Sequence, residues 1–138
     1  MPEKRTLFWG GILLCLLLLF AWGIRLYTRK HQSVAGATVA FSVGADSLYS
    51  QYQRDEHTAD SLYLGKVIEV RGKLGEIQHN GVLEIWILST GGGGGVNCQL
   101  FPGEKYPGGN HRIGDSVSIR GKCTGFLMDV TLSDCVFQ

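Results

Sequence analysis

The stretch KVIEVRGKL, residues 66–74, decides the fold class of this chain. Ile68, Val70 and Leu74 alternate with charged residues, which is the pattern of a strand that is buried on one face. Gly72 interrupts the alternation and permits a sharp bend or a bulge. We therefore predict a half-buried strand that changes direction near its middle.

Four more segments continue this two-residue period. The first, GVLEIWIL (81–88), begins within the Asn80-Gly81 pair, which is a strong hairpin turn signal. Its alternation predicts that Leu83, Ile85 and Ile87 face inward. The other three predicted strands are VNCQLF (96–101), SVSIRGKC (116–123) and DVTLSDCVF (129–137).

Helical signals precede the strands. Asp46 is placed to cap a helix from Ser47 to about Glu56, and Thr58 is placed to cap another turn or two. We expect this helix to pack on the sheet or to plug it. The whole pattern predicts a mainly β domain, a five-stranded barrel preceded by a short α-helix, because closing the sheet removes its exposed edges. An SH3-like barrel or an open sandwich also fits the strand count.

Three segments carry a resemblance to a known family: YLGKVIEVRGKLGEI (63–77), VNCQLF (96–101) and IGDSVSIRGKCTGFLMDVTLSDCVF (113–137). Together they resemble the tRNA-anti-like family of OB-fold domains over about residues 45–138. The resemblance implies an OB-fold barrel with a binding face, often behind an amino-terminal anchor. It implies no reaction, and no catalytic residue is transferred.

An uncharged apolar run, LFWGGILLCLLLLFAWGI (7–24), lies near the amino terminus. A helix of this length reaches about 27 Å, close to the thickness of a bilayer's hydrocarbon core. We predict four parts for the chain: a basic tail (1–6), a transmembrane helix (7–26), a juxtamembrane linker (27–43) and an OB-fold domain with its leading helix (44–138). A cleaved signal remains an alternative, because Ala21-Trp22-Gly23 resembles a cleavage site.

The orientation of this span is not decided by charge, since basic residues stand on both sides of it. A short basic amino terminus, one span and then the only folding domain is a common arrangement for export across a bacterial inner membrane. We therefore predict a single-pass membrane protein whose carboxy-terminal domain is periplasmic rather than cytoplasmic.

The charge of the domain differs from that of the whole chain, which is +1. Five of the 13 basic residues but only one of the 12 acidic residues precede residue 34, which leaves 8 basic and 11 acidic residues, a net charge of about −3. A nonspecific nucleic-acid binder normally carries a basic surface, because phosphate neutralisation supplies most of its affinity. The domain lacks this bulk signature.

The sequence contains no recognisable catalytic motif, which predicts a protein that is not an enzyme. The four histidines are far apart and have no cysteine or second histidine at ligand spacing, so we expect no metal and no cofactor. The five glycines at 91–95 lack the lysine and hydroxyl residue of a phosphate-binding loop, and we interpret them as a flexible turn. No nucleophile motif and no paired carboxylates are found.

The most specific functional prediction concerns the outer face of the barrel. OB folds commonly bind oligomers across their second and third strands. Here the candidate ligand face consists of Arg71, Lys73, Trp86, Gln99 and Phe101. An aromatic ring between cations is suited to stacking a base or a sugar. The alternative, which we prefer for Trp86, is that it packs beneath the predicted helix.

Cysteine pairing depends on compartment, because an exported domain is open to oxidation. In an OB barrel the third and fifth strands are neighbours, so Cys98 with Cys135 is a better candidate for a disulfide than Cys123 with Cys135, and we prefer buried free thiols to either pair. 

The sequence as a whole predicts a membrane-anchored OB-fold binding module that meets an envelope protein or an oligomeric ligand. A tethered single-stranded nucleic-acid binder is the first alternative, and an envelope ligand sensor is the second.

Overall fold

A computed structural model describes residues 3–28 and 34–138, and the side chains of 11–25 and 34–138. It divides the chain into two compact units, Met1–Gln32 and Ser33–Gln138. The first contains one helix. Parts of the predicted basic tail and of the predicted linker lie outside the described residues. Within the described part of the chain, no helix is found that combines the length and the apolarity needed to cross a membrane.

The elements follow one another in a simple order. They are helix α1 (Glu3–Thr28), a 3-10 turn (Val34–Gly36), strand β1 (Phe41–Gly44), helices α2 (Ala45–Arg54) and α3 (Glu56–Tyr63), and strands β2 (Val67–Asn80), β3 (Leu83–Ser89), β4 (Gly95–Leu100), β5 (Ser116–Phe126) and β6 (Val130–Phe137).

Strands β2 to β6 form a closed barrel. The hydrogen-bonded order runs β2-β3-β4-β6-β5, and an additional pairing of β2 with β5 closes the sheet. All neighbours are antiparallel except β4 and β6, which are parallel. The predicted five-stranded, OB-like barrel with a preceding helical segment is therefore confirmed.

Strand β2 closes the barrel because it changes neighbours along its length. Residues 67–73 pair with β5, whereas the strand pairs with β3 from Lys73 onward. The register shifts between Leu74 and Glu76, so the bulge lies at Gly75. A Cβ atom on Gly75 would lie 2.1 Å from the Ser89 hydroxyl, which requires glycine there. The bend that the sequence predicts is present, but its bulge follows Gly72 by a few residues.

The folded unit begins earlier than residue 44. Val34 is buried, and the 3-10 turn that it starts packs near β5 and β6. Strand β1 pairs in parallel with β2, from Phe41 opposite Ile68 to Gly44 opposite Arg71. Strand β1 and the residues that lead into it are therefore part of the folded unit, although most of them fall within the predicted linker. A strand of only four residues without clear alternation cannot be recognised from sequence.

The helical segment is present as two helices, with caps that differ from those predicted. Gly44, not Asp46, is the residue before α2. Asp55, not Thr58, caps α3, since its carboxylate accepts hydrogen bonds from the Thr58 backbone N–H and hydroxyl. Both bonds lower the pKa of Asp55. Asp46 is free to contact another part of the domain instead.

The core lies inside the barrel and beneath α2. The inward residues predicted on four strands are buried, including Ile68, Cys98, Ile119 and Leu132. On β3 the predicted phase is wrong, because Trp86 and Leu88 are the buried residues. Apolar side chains occupy both faces of β3, because Leu83, Ile85 and Ile87 are half-buried on the face opposite Trp86 and Leu88. Alternation alone therefore does not identify the inner face.

The glycine run at 91–95 is a packed loop rather than a merely flexible turn. Its backbone lies against the Tyr49 ring on α2, so that a Cβ atom on Gly94 would be 2.3 Å from the Tyr49 hydroxyl oxygen. The Thr90 hydroxyl donates to the Gly94 carbonyl, and the Gly95 N–H donates to the Asp129 carboxylate. Glycine is required here because the ring occupies the space that a side chain would take.

Substituting Gly94→Ala is expected to lower the free energy of unfolding by about 1–3 kcal/mol, because the new methyl group overlaps Tyr49. Chemical denaturation of the full-length chain measures this change. Gly91→Ala is the matched control in the same loop, since its Cβ would meet only an Asp46 oxygen at 3.6 Å. Equal losses in the two variants would contradict the packing account.

Candidate functional site

A polar groove of about 760 Å³ opens beside the bend of β2. This volume lies in the range of small-molecule sites. The groove is built from β2, β3 and β5, the start of the glycine loop and the first turn of α2. Its lining residues are Asp46, Arg71, Gly72, Lys73, Ser89, Thr90, Gly91, Ser116, Val117 and Ser118.

The strand register explains why cations and hydroxyls meet in this groove. Arg71 and Lys73 are two residues apart on β2, so both side chains point to the same face. The antiparallel pairing places Ser118 directly opposite Arg71, and Ser116 directly opposite Lys73. Each cation of the strand therefore has a serine beside it across the ladder.

Arg71 is held in position by a carboxylate. Its Nε atom lies 2.9 Å from Glu69 Oε1, and the same oxygen accepts a hydrogen bond of 2.7 Å from the Ser118 hydroxyl. The bond from Ser118, followed by that from Arg71, lowers the pKa of Glu69 below its ordinary value. The carboxylate therefore stays ionised at neutral pH, although the arginine side chain is 67% exposed and the ion pair contributes little stability.

Lys73 has no such partner. Its side chain is exposed, and among the described residues no carboxylate lies within salt-bridge distance of its ammonium group. Its strand neighbours are Ser116 on one side and Ser89 on the other. The ammonium group is thus available to an anion that enters the groove.

Asp46 joins the helix to the glycine loop at the rim of the groove. Its Oδ1 atom accepts a hydrogen bond of 2.6 Å from the Gly91 backbone N–H. A Cβ atom on Gly72 would lie 2.8 Å from the Ala45 Cβ, so the first turn of α2 also sits closely on the bend of β2. These contacts fix two walls of the groove relative to each other.

The groove presents side chains that donate hydrogen bonds to anions. It presents two cationic groups and several hydroxyls, which are donors for phosphate or carboxylate oxygens. Its lining contains neither histidine nor cysteine. In the part of the chain that the structure describes, no three metal-ligating side chains come together.

The structure separates the five residues of the predicted ligand face. Arg71 and Lys73 lie together in the groove, whereas Gln99 pairs with Ile85 on β4 and β3, away from its lining. Phe101 is half-buried just after β4, and its backbone N–H donates to the Cys135 carbonyl. The predicted single face is therefore not formed.

Trp86 projects into the barrel instead of outward, and it is only 1% exposed. Its ring packs at 4.7 Å from His111, 4.7 Å from Phe137 and 5.4 Å from Tyr106. Its indole N–H donates to the Glu84 carboxylate. The prediction that Trp86 stacks a ligand on the outer face is wrong, and the ring is covered by the loop before β5 rather than by the leading helix.

Cys98 and Cys135 are free thiols in the structure and lie next to each other in the core. Burial, and then the neighbouring Cys98 thiol, raises the pKa of Cys135. Cys123 lies 3.3 Å from the Tyr52 hydroxyl, and burial followed by this contact raises the pKa of Tyr52. All three thiols are buried in the core of the domain.

Sequence reasoning missed most of the groove lining. The outward direction of Ser116 and Ser118 can be predicted from sequence, because they flank Val117. Since Val117 is buried, the side chains on either side of it must point outward. The register of β5 against β2 decides that these hydroxyls meet the cations, and no local pattern encodes that register. Asp46 was interpreted as a helix cap because it stands at the start of a helix.

One family model and two solved structures resemble the chain. The model of the tRNA_anti-like family matches residues 2–136. Two solved structures of OBodies bound to hen egg-white lysozyme are similar to the chain. One (AM3L15) is 20% identical with a TM-score of 0.40, covering 54% of this chain and 81% of that one. The other (NL8) is 19% identical with a TM-score of 0.37, covering 53% and 93%. No curated protein sequence matches.

Proposed function

The chain belongs to the tRNA_anti-like family, and we propose that it is a non-enzymatic binding module whose groove receives an anionic ligand. The observation that carries this proposal is the position of Lys73, which is exposed in a concave site, has no carboxylate partner among the described residues and is flanked by serines. An anion completes this arrangement by charge-assisted hydrogen bonds.

The ligand class follows from the lining. A phosphate or carboxylate group accepts hydrogen bonds from the Lys73 ammonium and from the hydroxyls of Ser89 and Ser116, while Arg71 supplies a second positive charge. Asp46 bears the opposite charge, but its Oδ1 already accepts from Gly91. The groove therefore favours a small number of anionic groups over a neutral ligand.

Single-stranded nucleic acid is the less favoured ligand. Proteins that bind it without sequence preference combine a cationic groove with aromatic rings on which bases stack. The lining of this groove contains no aromatic residue, and Trp86 is buried in the barrel. The domain also has a net charge of about −3, so it does not attract a polyanion at long range. An isolated anionic group fits the site better than a stacked chain of bases.

We propose no reaction for the groove because of the side chains that line it. Its hydroxyls belong to serines and Thr90, and a nucleophilic hydroxyl needs an adjacent base. The carboxylate of Asp46 is engaged by a backbone N–H, and no imidazole lines the groove. Binding and release are the activities that this lining supports.

We further propose that residues 7–26 anchor the module in a membrane and that residues 34–138 lie on the periplasmic side. This part of the proposal rests on the sequence, namely the uncharged apolar run at 7–24 with Trp9 and Trp22 near its ends. On that side of the membrane the ligand would belong to an envelope partner.

Removing the ammonium group should weaken anion binding. We expect Lys73→Ala to reduce the affinity of the full-length chain for inorganic tripolyphosphate by about tenfold, since a charge-assisted hydrogen bond is lost. Isothermal titration calorimetry at low and at physiological salt measures the affinity.

Lys122→Ala is the matched control, because Lys122 is an exposed lysine of β5 that does not line the groove. Equal losses in both variants, or no binding at low salt, would refute the groove as an anion site. If oligothymidylate binds more tightly than tripolyphosphate at physiological salt and loses affinity in Lys73→Ala, nucleic acid is the ligand instead.

The topology is tested with Val82, whose side chain is 93% exposed at the β2–β3 turn. In a Cys15→Ser background, Val82→Cys offers one accessible thiol in the domain, because Cys98, Cys123 and Cys135 are buried. We expect a membrane-impermeant maleimide to label intact cells, and the labelled chain to remain with membranes in alkaline carbonate. Labelling only after lysis would place the domain inside.

A further inference from the structure

A second cleft, of about 420 Å³, lies outside the groove, between α3 and the β5–β6 turn. It is lined by Glu56, Asp60, Leu64, Thr124, Gly125, Phe126, Leu127 and Thr131. It shares no residue with the groove. Whatever occupies one site therefore does not have to contact the other.

One wall of the cleft is acidic and comes from α3. Glu56, Asp60 and Leu64 are spaced by four residues, so they follow one face of the helix and continue past its end. The lining includes no lysine, arginine or histidine. The two carboxylates therefore face the cleft without a basic neighbour in its walls.

Asp60 contains a buried atom that has no partner. Its Oδ1 is inaccessible to solvent and accepts no hydrogen bond in the part of the chain that the structure describes. The same carboxylate lies close enough to the Tyr52 hydroxyl to contribute, after burial and Cys123, to that group's raised pKa. An unsatisfied carboxylate oxygen costs free energy in the folded domain, and a positive charge placed beside this carboxylate offsets part of that cost.

The opposite wall is apolar and unusually exposed. Leu127 and Met128 form the β5–β6 turn and are 95% and 83% exposed. Leu64, across the cleft, is also exposed. Single exposed apolar residues are common, but here two of them, Leu64 and Leu127, line one concave site, which is typical of an interaction surface.

We propose that this cleft docks a peptide segment of a partner protein, in which an arginine or lysine is flanked by apolar side chains. The basic group reaches Asp60 and Glu56, and the apolar neighbours cover Leu64 and Leu127. Charge complementarity decides the occupant, since an anionic lipid surface is repelled by the two carboxylates and a basic segment is attracted to them. A guanidinium or ammonium group pairs with the carboxylates of Asp60 and Glu56, which an apolar partner would desolvate without compensation.

The test uses the full-length chain in nanodiscs of zwitterionic lipid and a fluorescent synthetic peptide of alternating leucine and arginine. Fluorescence anisotropy, corrected with empty nanodiscs, measures the affinity. We expect Asp60→Asn to weaken binding by about tenfold, because a charge-assisted hydrogen bond to a desolvated carboxylate is lost. Leu127→Ser, at a fully exposed position, should also weaken binding by about tenfold through lost apolar contact.

Glu76→Gln is the matched control, since it removes one exposed carboxylate of β2 outside the cleft. Its affinity for the peptide should stay within about twofold of the parent, as exposed charges contribute little. The thermal midpoint of Asp60→Asn should not fall, because the substitution removes a buried charge without leaving a cavity. A loss of peptide affinity without a fall in the thermal midpoint distinguishes a docking residue from a structural one.

Three results would overturn the proposal. Equal losses in Asp60→Asn and Glu76→Gln would mean that the peptide senses only net charge. Equal affinity for a peptide of alternating leucine and glutamate would remove the role of the carboxylates. Self-association of the chain that Leu127→Ser abolishes, without peptide binding, would make a second copy the occupant. None of these results bears on tripolyphosphate binding in the groove.

Discussion

Strand β2 changes its hydrogen-bonded neighbours at Gly72 to Gly75, and the rest of the domain depends on this change. Before the bend the strand pairs with β5, and after it with β3, so one strand closes the barrel. Side chains are excluded at the bend because the Ser89 hydroxyl and the Ala45 methyl group lie within 3 Å of the positions that Cβ atoms would take. A side chain at Gly72 would displace the first turn of α2, and one at Gly75 would displace the Ser89 hydroxyl.

The bend also builds the groove. It brings the outward residues of β2 beside the serines of β5, and it leaves room for the first turn of α2 to sit over the strand. The glycine loop completes the wall, since it packs on Tyr49 and donates to Asp46. The groove is thus a consequence of how the barrel closes, whereas the cleft beside α3 depends on the β5–β6 turn at the other end of β5.

Much of the barrel was predictable from sequence, and the reasons are local. Ile68, Val70 and Cys98 alternate with polar residues, so their inner face is unambiguous. On β3 apolar residues occupy both faces, and the inner face is chosen by packing of Trp86 against Phe137, which is distant in sequence. Of the candidate site, Arg71 and Lys73 were identified, but their serine neighbours depend on strand register, which no short pattern specifies.

We propose that the bend in β2 creates an anion site at Lys73. The most direct measurement is a ¹H–¹⁵N NMR titration of the full-length chain with inorganic tripolyphosphate. The account predicts that amide shifts change at Arg71–Lys73, Thr90–Gly91 and Ser116–Ser118, while Gln99 and Trp86 stay unchanged. Shifts centred on Gln99 and the outer face of β3, or none at all, would contradict it.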